Sequence, residues 1–282
     1  MMTLNTAEFR EFKSKREQWI ECLDGKDEHS IMLQITEMIW NAGAYRVINE
    51  ARRIAEPAEE GRVKLNGMMH CLIDDGFFVS QAAAIRRLTD AYGMTGERGV
   101  YSLTGLLDDM KENCHLMTRE NILAAEGLDY DPEVVKEGYR QYCTEQRRAG
   151  KGTHFVPADL DYYRVEDRHK TIDRLAGVDQ ANRSRDDCIR SEIFDHLRKK
   201  VDTICKTVIE YVNKYVAHAA TPASRATVKV DGSSITLGHL WKAHRNVLQV
   251  LRPVFDALWN AGDFPCSPNY DIEGNWKPGW RP

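Results

Sequence analysis

The sequence predicts an all-α protein, a bundle of long antiparallel helices. Apolar residues recur at three- and four-residue steps, strand-like alternation is scarce, and Pro or Gly separates the periodic stretches. With 282 residues, 42% of them hydrophobic, the chain is long enough to bury a full core and too apolar to be disordered. No apolar run reaches eighteen residues, so we expect no membrane span.

Local signals place the predicted helices along the chain. Pro57 ends the second helix, Ser102 and Thr118 are N-cap candidates, and Asp131 followed by Pro132 is a typical helix start. The predicted helices cover residues 6–23, 29–55, 63–92, 102–110, 131–148, 186–219 and 236–261, with a short one beginning after residue 118. Pro253 is expected to kink the last of them.

Three segments interrupt this helical pattern. Residues 149–185 are densely charged and poor in aliphatic side chains, which predicts a long loop excursion with room for one short helix. A hairpin is suggested around Asp231-Gly232. Residues 265–282 read as an irregular aromatic and proline-rich tail. We therefore expect one helical domain over 1–264, followed by the tail 265–282.

Charge and cysteine usage limit the function classes. The net charge is −4, but from residue 196 onward 12 Lys or Arg face 7 Asp or Glu, and such a basic segment can attract phosphate. The seven cysteines form no CxxC pair, which favours reduced thiols over disulfides or a zinc site. The start of the chain has no signal-peptide core, so we expect a cytoplasmic location.

No cofactor or metal motif stands out. The nine histidines lack ligand spacing, and GKGT at 150–153 lacks the preceding glycine and strand of a phosphate loop. We therefore expect no metal and no cofactor. Elsewhere, Arg86, Arg87 and Asp90 could line an RNA groove, but helix-surface charge with an intramolecular ion pair is favoured. His244 falls on an apolar face and is predicted to be a satisfied core residue.

The end of the 186–219 helix carries the strongest candidate for chemistry. Glu210, Lys214 and His218 are spaced by four and would share one edge of an α-helix. His218 borders the apolar stripe that contains Tyr211 and Tyr215. Two interpretations stay open: a boundary histidine stabilised by the helix dipole, or a group that meets a solvated substrate.

The same segment resembles a known family. LRKKVDTICKTVIEYVNKYVAHAATPASR, residues 197–225, is similar to the signature helix of HEPN domains, especially the AbiU-like abortive-infection branch, where the helix ends in Arg-Asn-Lys-x-x-Ala-His. Two upstream stretches, HCLIDDGFFVSQAAAIRRLTD and VYSLTGLLDDM, resemble helices of the same branch. In that branch one helix ends in Arg-Leu-x-Asp, here Arg87, Leu88 and Asp90, and the next begins with Ser-Leu, here Ser102 and Leu103. The match covers two stretches within about residues 68–225.

The resemblance implies a helical homodimer that cleaves RNA without a metal, in a phage-defence or toxin-type system. It assigns His218 as general acid and base, and it matches Asn213 and Lys214 to the polar residues of the motif. RNA, with tRNA as one candidate, is the implied substrate, and an antitoxin or sensor protein is an implied partner. No membrane association is expected.

One position departs from the family pattern. Val212 stands where the motif has its arginine, which would stabilise the scissile phosphate. Lys214, Arg225 or Arg198 could supply the missing cation, and Arg198, Lys199, Lys200 and Arg225 are the predicted RNA-binding residues. The alternative is a catalytically inactive HEPN-like adaptor that binds RNA, a nucleotide or a protein partner.

Overall fold

The computed structural model describes residues 6–54, 67–150, 157, 160–218, 220–226 and 235–259. Its α-helices are Ala7–Asp24 (α1), Ile31–Ile54 (α2), Gly67–Leu88 (α3), Leu103–Glu112 (α4), Arg119–Ala125 (α5), Pro132–Arg148 (α6), Tyr162–Ala176 (α7), Ser191–Tyr211 (α8), Pro222–Arg225 (α9) and Leu237–Leu258 (α10). A π turn, Val212–Val216, follows α8. Because these residues contain no strand, the predicted all-α class is confirmed.

The described helices agree with the sequence where local chemistry sets their ends. Ser102 Oγ accepts from the Gly105 amide at 3.0 Å, and Thr118 Oγ1 accepts from the Asn121 amide at 3.1 Å. Asp131 caps α6, with Pro132 as its first residue. The suggested hairpin turn and the tail 265–282 lie outside the described residues, and the kink at Pro253 stays a prediction.

The segment 149–185 contains more helix than the sequence indicated. Its helix α7 has 15 residues, begins after the N-cap Asp161, and ends where Gly177 adopts a positive φ of 69°. Glycine is favoured there because other L-residues rarely adopt a positive φ.

The chain forms two compact units. Of the residues that the structure describes, unit 1 comprises those within 1–18, 110–195 and 251–282, and unit 2 comprises those within 19–109 and 196–250. The expectation of a single domain over 1–264 stays a prediction. None of the described helices combines the length and the apolar character that crossing a membrane requires.

Unit 1 buries arginine side chains beside carboxylates. Arg168 is 1% exposed and contacts the Glu126 carboxylate, itself 3% exposed, at 2.6 Å. Burial raises the pKa of Glu126, against the attraction of Arg168. Arg119, fully buried, donates from Nη2 to Asp173 and to Asp187, each at 2.8 Å. These ion pairs connect α5, α7 and the segment before α8. This part of unit 1 therefore does not depend on a long stripe of aliphatic side chains.

Unit 2 has a conventional apolar core, in which α2 packs on α3. Tyr45 and Phe77 stack with ring centroids 3.8 Å apart, and the buried Gln81 amide donates to the Met38 carbonyl at 3.2 Å. His244 of α10 is buried as predicted, but its Nε2 has no hydrogen-bond partner among the described residues. The prediction of a satisfied histidine was therefore wrong, and burial lowers the pKa of His244 to about 4.

Removing the Glu126 charge tests the buried pair of unit 1. We expect Glu126→Gln to lower the free energy of unfolding by about 3–5 kcal/mol, because it leaves Arg168 buried without a counter-charge. The matched control is Glu133→Gln, which removes an exposed partner of Lys136 and costs under about 1 kcal/mol. Urea unfolding measures both, and equal losses would contradict this assignment.

The burial of His244 predicts a pH dependence of stability. Its pKa in the folded chain, about 4, lies below the ordinary value of 6.5, so the unfolded chain binds more protons between these values. As the pH falls below 6.5, the free energy of unfolding of the wild type should decrease by up to about 3 kcal/mol more than that of His244→Leu. Urea unfolding from pH 7 to pH 4 measures the difference. His196 is exposed, so His196→Gln should show the same dependence of unfolding free energy on pH as the wild type. A His244→Leu variant with that same pH dependence would refute the prediction.

Candidate functional site

The end of α8 widens into a π turn. The Ala217 amide donates to the Val212 carbonyl, five residues earlier, at 2.8 Å. The sequence predicted one continuous helix over 186–219, whereas α8 begins at Ser191 and ends at Tyr211. The predicted common edge of Glu210, Lys214 and His218 assumed α-helical geometry throughout, so that argument does not hold across the turn. π turns inside helices are frequent at functional sites.

His218 follows the π turn and is exposed. Its carbonyl accepts from the Ala220 amide at 2.9 Å. Within the described part of the chain, its imidazole makes no hydrogen bond or ion pair. The ring is therefore open to a dissolved ligand, as proton transfer to a substrate requires.

A guanidinium from another helix contacts the π turn. Arg86 of α3 donates from Nε to Asn213 Oδ1 at 3.3 Å and from Nη1 to Asp90 at 2.9 Å. Its side chain is 31% exposed. The predicted ion pair among Arg86, Arg87 and Asp90 forms between Arg86 and Asp90, whereas the contact with Asn213 was not predicted. In the sequence, the only feature that pointed to Arg86 was its spacing of four residues from Asp90. Nothing in the sequence indicates that α3 packs on this turn.

The end of α3 is fixed to the start of α4 by the main chain of Asp90. Its carbonyl accepts from Ser102 Oγ at 2.7 Å and also from Thr104 Oγ1. A side chain at Gly105 would meet the Tyr92 carbonyl at 2.7 Å, so this loop and α4 are in close contact. The two upstream blocks that carry the resemblance are thus joined through Asp90 and Ser102.

The remaining motif residues lie around the same turn. Val212, at the family's arginine position, is 4% exposed and belongs to the core of unit 2. Lys214 Nζ donates to Ser224 Oγ at 2.6 Å, which holds α9 against the turn. Arg225, the last residue of α9, is half-buried. The structure thus brings Asn213, Lys214 and α9 together and supplies Arg86 as a further cation.

An open cleft of about 420 Å³ lies between the end of α3 and α8. Arg86 and Asp90 line one side, Arg198 and Asp202 line the other, and Tyr92 completes it. Arg198 donates to Asp202 at 2.6 Å, so each arginine of the cleft has its own carboxylate. His218 does not line this cleft.

The predicted RNA-binding residues are divided among different surroundings. Arg198 lies in the cleft and contacts Asp108 at 3.4 Å besides Asp202. Lys199 is exposed, whereas Lys200 donates to Gln249 at 2.9 Å. In the described ranges, no three His, Cys, Asp or Glu side chains come together as metal ligands would.

Comparison of the chain with protein-family models, with curated proteins and with solved structures gives no match. The site is therefore described by its own geometry. It consists of an exposed histidine after a π turn, an asparagine of that turn bonded to a guanidinium from α3, and a lysine bonded to α9.

Replacing Arg86 tests its role in holding the π turn. Arg86→Gln should lower the free energy of unfolding by about 1–2 kcal/mol, because Asp90 and Asn213 both lose a charged donor at a half-buried site. The neighbouring Arg87 is exposed, so Arg87→Gln should change stability by no more than about 0.5 kcal/mol. Urea unfolding distinguishes the two, and an Arg86→Gln variant as stable as Arg87→Gln would contradict the bridging role.

Proposed function

We propose that this chain is a HEPN-like, metal-independent endoribonuclease of a phage-defence or toxin-type system, with His218 as general acid and base. The observation that supports the proposal is the exposed imidazole beside a turn that also binds a guanidinium. A histidine sealed in the core would have been incompatible with this chemistry. RNA is the proposed substrate, with tRNA as one candidate.

The proposed reaction uses groups that this site supplies. The ribose 2′-hydroxyl attacks the adjacent phosphorus, His218 accepts the hydroxyl proton, and the protonated imidazole returns it to the departing 5′-oxygen. Imidazole suits both steps because it titrates near neutrality. The products carry a 2′,3′-cyclic phosphate and a free 5′-hydroxyl.

Arg86 is the proposed electrostatic partner in place of the motif arginine. Val212 carries no charge and is buried, whereas Arg86 reaches the adjacent Asn213 from α3. A planar guanidinium can bind two phosphate oxygens at once, which an ammonium cannot. Asn213 then orients Arg86, and Lys214 stabilises α9 besides adding positive charge.

Arg198, Lys199, Lys200 and Arg225 are proposed to contact RNA outside the reacting phosphate. The family resemblance further implies a homodimer, an antitoxin or sensor protein as partner, and a cytoplasmic location. These three remain part of the proposal.

A second candidate is an inactive HEPN-like adaptor that binds RNA, a nucleotide or a protein. It is favoured by the uncharged Val212 and by the pairing of nearby cations with carboxylates, Arg86 with Asp90 and Arg198 with Asp202. Paired charges attract RNA less strongly than free ones. The two candidates differ in whether RNA is cut or only bound.

The direct test is cleavage of total RNA and tRNA by the purified chain in EDTA. We expect products with 2′,3′-cyclic phosphate ends, and His218→Ala should slow cleavage by at least about 100-fold. The exposed His196→Ala is the matched control and should cleave at the wild-type rate. Arg86→Lys should slow cleavage by about 10²–10³, with Arg87→Lys near wild type.

The outcomes separate the candidates. Cleavage that survives His218→Ala would remove the proposed catalytic residue. Binding of tRNA without cleavage, unchanged by His218→Ala, would favour the adaptor. Neither binding nor cleavage would contradict both RNA-directed functions.

A further inference from the structure

Helix α2 is apolar on two opposite faces. One face lies in the core of unit 2, where Ile31, Ile35 and Met38 are at most 2% exposed. On the other face, four residues spaced by seven are largely exposed. They are Leu33 (45%), Trp40 (75%), Val47 (69%) and Ile54 (65%). An apolar face that a single copy leaves exposed in this way is typical of a contact surface.

The exposed face has the spacing of a coiled-coil seam. Ala44 and Ala51 lie between its larger residues and are also exposed. Together they give the series Trp40, Ala44, Val47, Ala51 and Ile54, with alternating steps of four and three. This 3.5-residue repeat is the one that pairs two α-helices side by side. The α2 seam, as we call these five residues, is uncharged, and the same repeat continued from Trp40 towards Leu33 passes through the exposed Glu37.

Large and small side chains alternate along the α2 seam. A second copy of the seam that runs in the opposite direction would therefore place small side chains opposite large ones. In an antiparallel pair, Trp40 would lie opposite Ala51 of a second copy, and Val47 opposite Ala44. Trp40 and Val47 then each fill the space left by an alanine, as close packing requires, while Ile54 would lie opposite Glu37 of the second copy. A two-fold axis between Ala44 and Val47 repeats both contacts, which is the condition for a closed dimer.

We propose that this chain forms a homodimer in which the α2 seams of two copies pack antiparallel. Helix α3, which packs on α2, exposes two further large apolar side chains, Met68 (76% exposed) and Leu72 (65% exposed). Together these side chains expose on the order of several hundred Å², comparable with the ~800 Å² that each partner buries in a stable dimer. Monomers rarely leave a larger apolar patch in water.

The proposal uses neither His218 nor Arg86. It therefore stands or fails separately from the proposed ribonuclease activity. It assigns a contact surface to the homodimer that the family resemblance implies, and that surface contains none of the residues of the proposed ribonuclease site.

Light scattering after gel filtration is the first test, on the full chain. The wild type should be a dimer at micromolar concentration, and Val47→Glu should weaken dimerisation at least ~100-fold, because it places two carboxylates in an apolar interface. Val134→Glu is the matched control, since Val134 of α6 is 58% exposed, and it should leave the dimer intact. Circular dichroism verifies that both variants fold.

Cysteine cross-linking tests the alignment without relying on a disruptive variant. In a Cys71→Ser background, Trp40→Cys chains mixed with Ala51→Cys chains should form a disulfide-linked dimer. Neither variant alone should form it, because like positions are about 16 Å apart along antiparallel helices, beyond disulfide reach. A chain with Cys71→Ser alone gives the background.

Four results would overturn the proposal. The first is a monomeric wild type, and the second is a dimer that persists in folded Val47→Glu. The third is cross-linking of the mixture no greater than that of each variant alone. The fourth is a dimer that is lost on deletion of 260–282 but kept in Val47→Glu. The last would identify the tail as the segment that mediates association.

Discussion

Arg86 carries the contacts on which the candidate site depends. Its guanidinium joins α3 to the π turn through Asn213, and it also holds the carboxylate of Asp90. The carbonyl of Asp90 in turn holds Ser102 and Thr104 at the start of α4. One half-buried cation thus orders three elements that are remote in sequence. Because it is still 31% exposed, the same group can also face an anion.

The arginines of the two units differ in what surrounds them. In unit 1, Arg119 and Arg168 are sealed from solvent and contact carboxylates, Arg119 two of them and Arg168 that of Glu126, so they stabilise the fold. In unit 2, Arg86 and Arg198 line an open cleft, Arg86 with Asp90 as its carboxylate partner and Arg198 with Asp202 and Asp108. A solvent-facing cation that has kept its counter-ion can exchange it for a phosphate, whereas a buried one cannot.

Local signals in the sequence predicted much of the fold. The caps at Ser102 and Thr118 were predicted because a cap hydroxyl bonds an amide three residues away. Helix α7 was underestimated because it buries Arg168 and His169, whose partners Glu126 and Tyr130 are remote in sequence. The contact of Arg86 with Asn213 spans 127 residues, and the π turn adjoins that contact. Neither could be inferred from spacing alone.

The most direct test of the candidate site is NMR of the wild type titrated with a 2′-O-methyl RNA oligonucleotide, which can bind but cannot be cut. The account predicts that the side-chain resonances of His218, Asn213 and Arg86 Nε shift together and saturate at one RNA concentration. The imidazole of the buried His244 should not move. Saturable shifts confined to other residues, or no shifts at all, would contradict an RNA site at this turn.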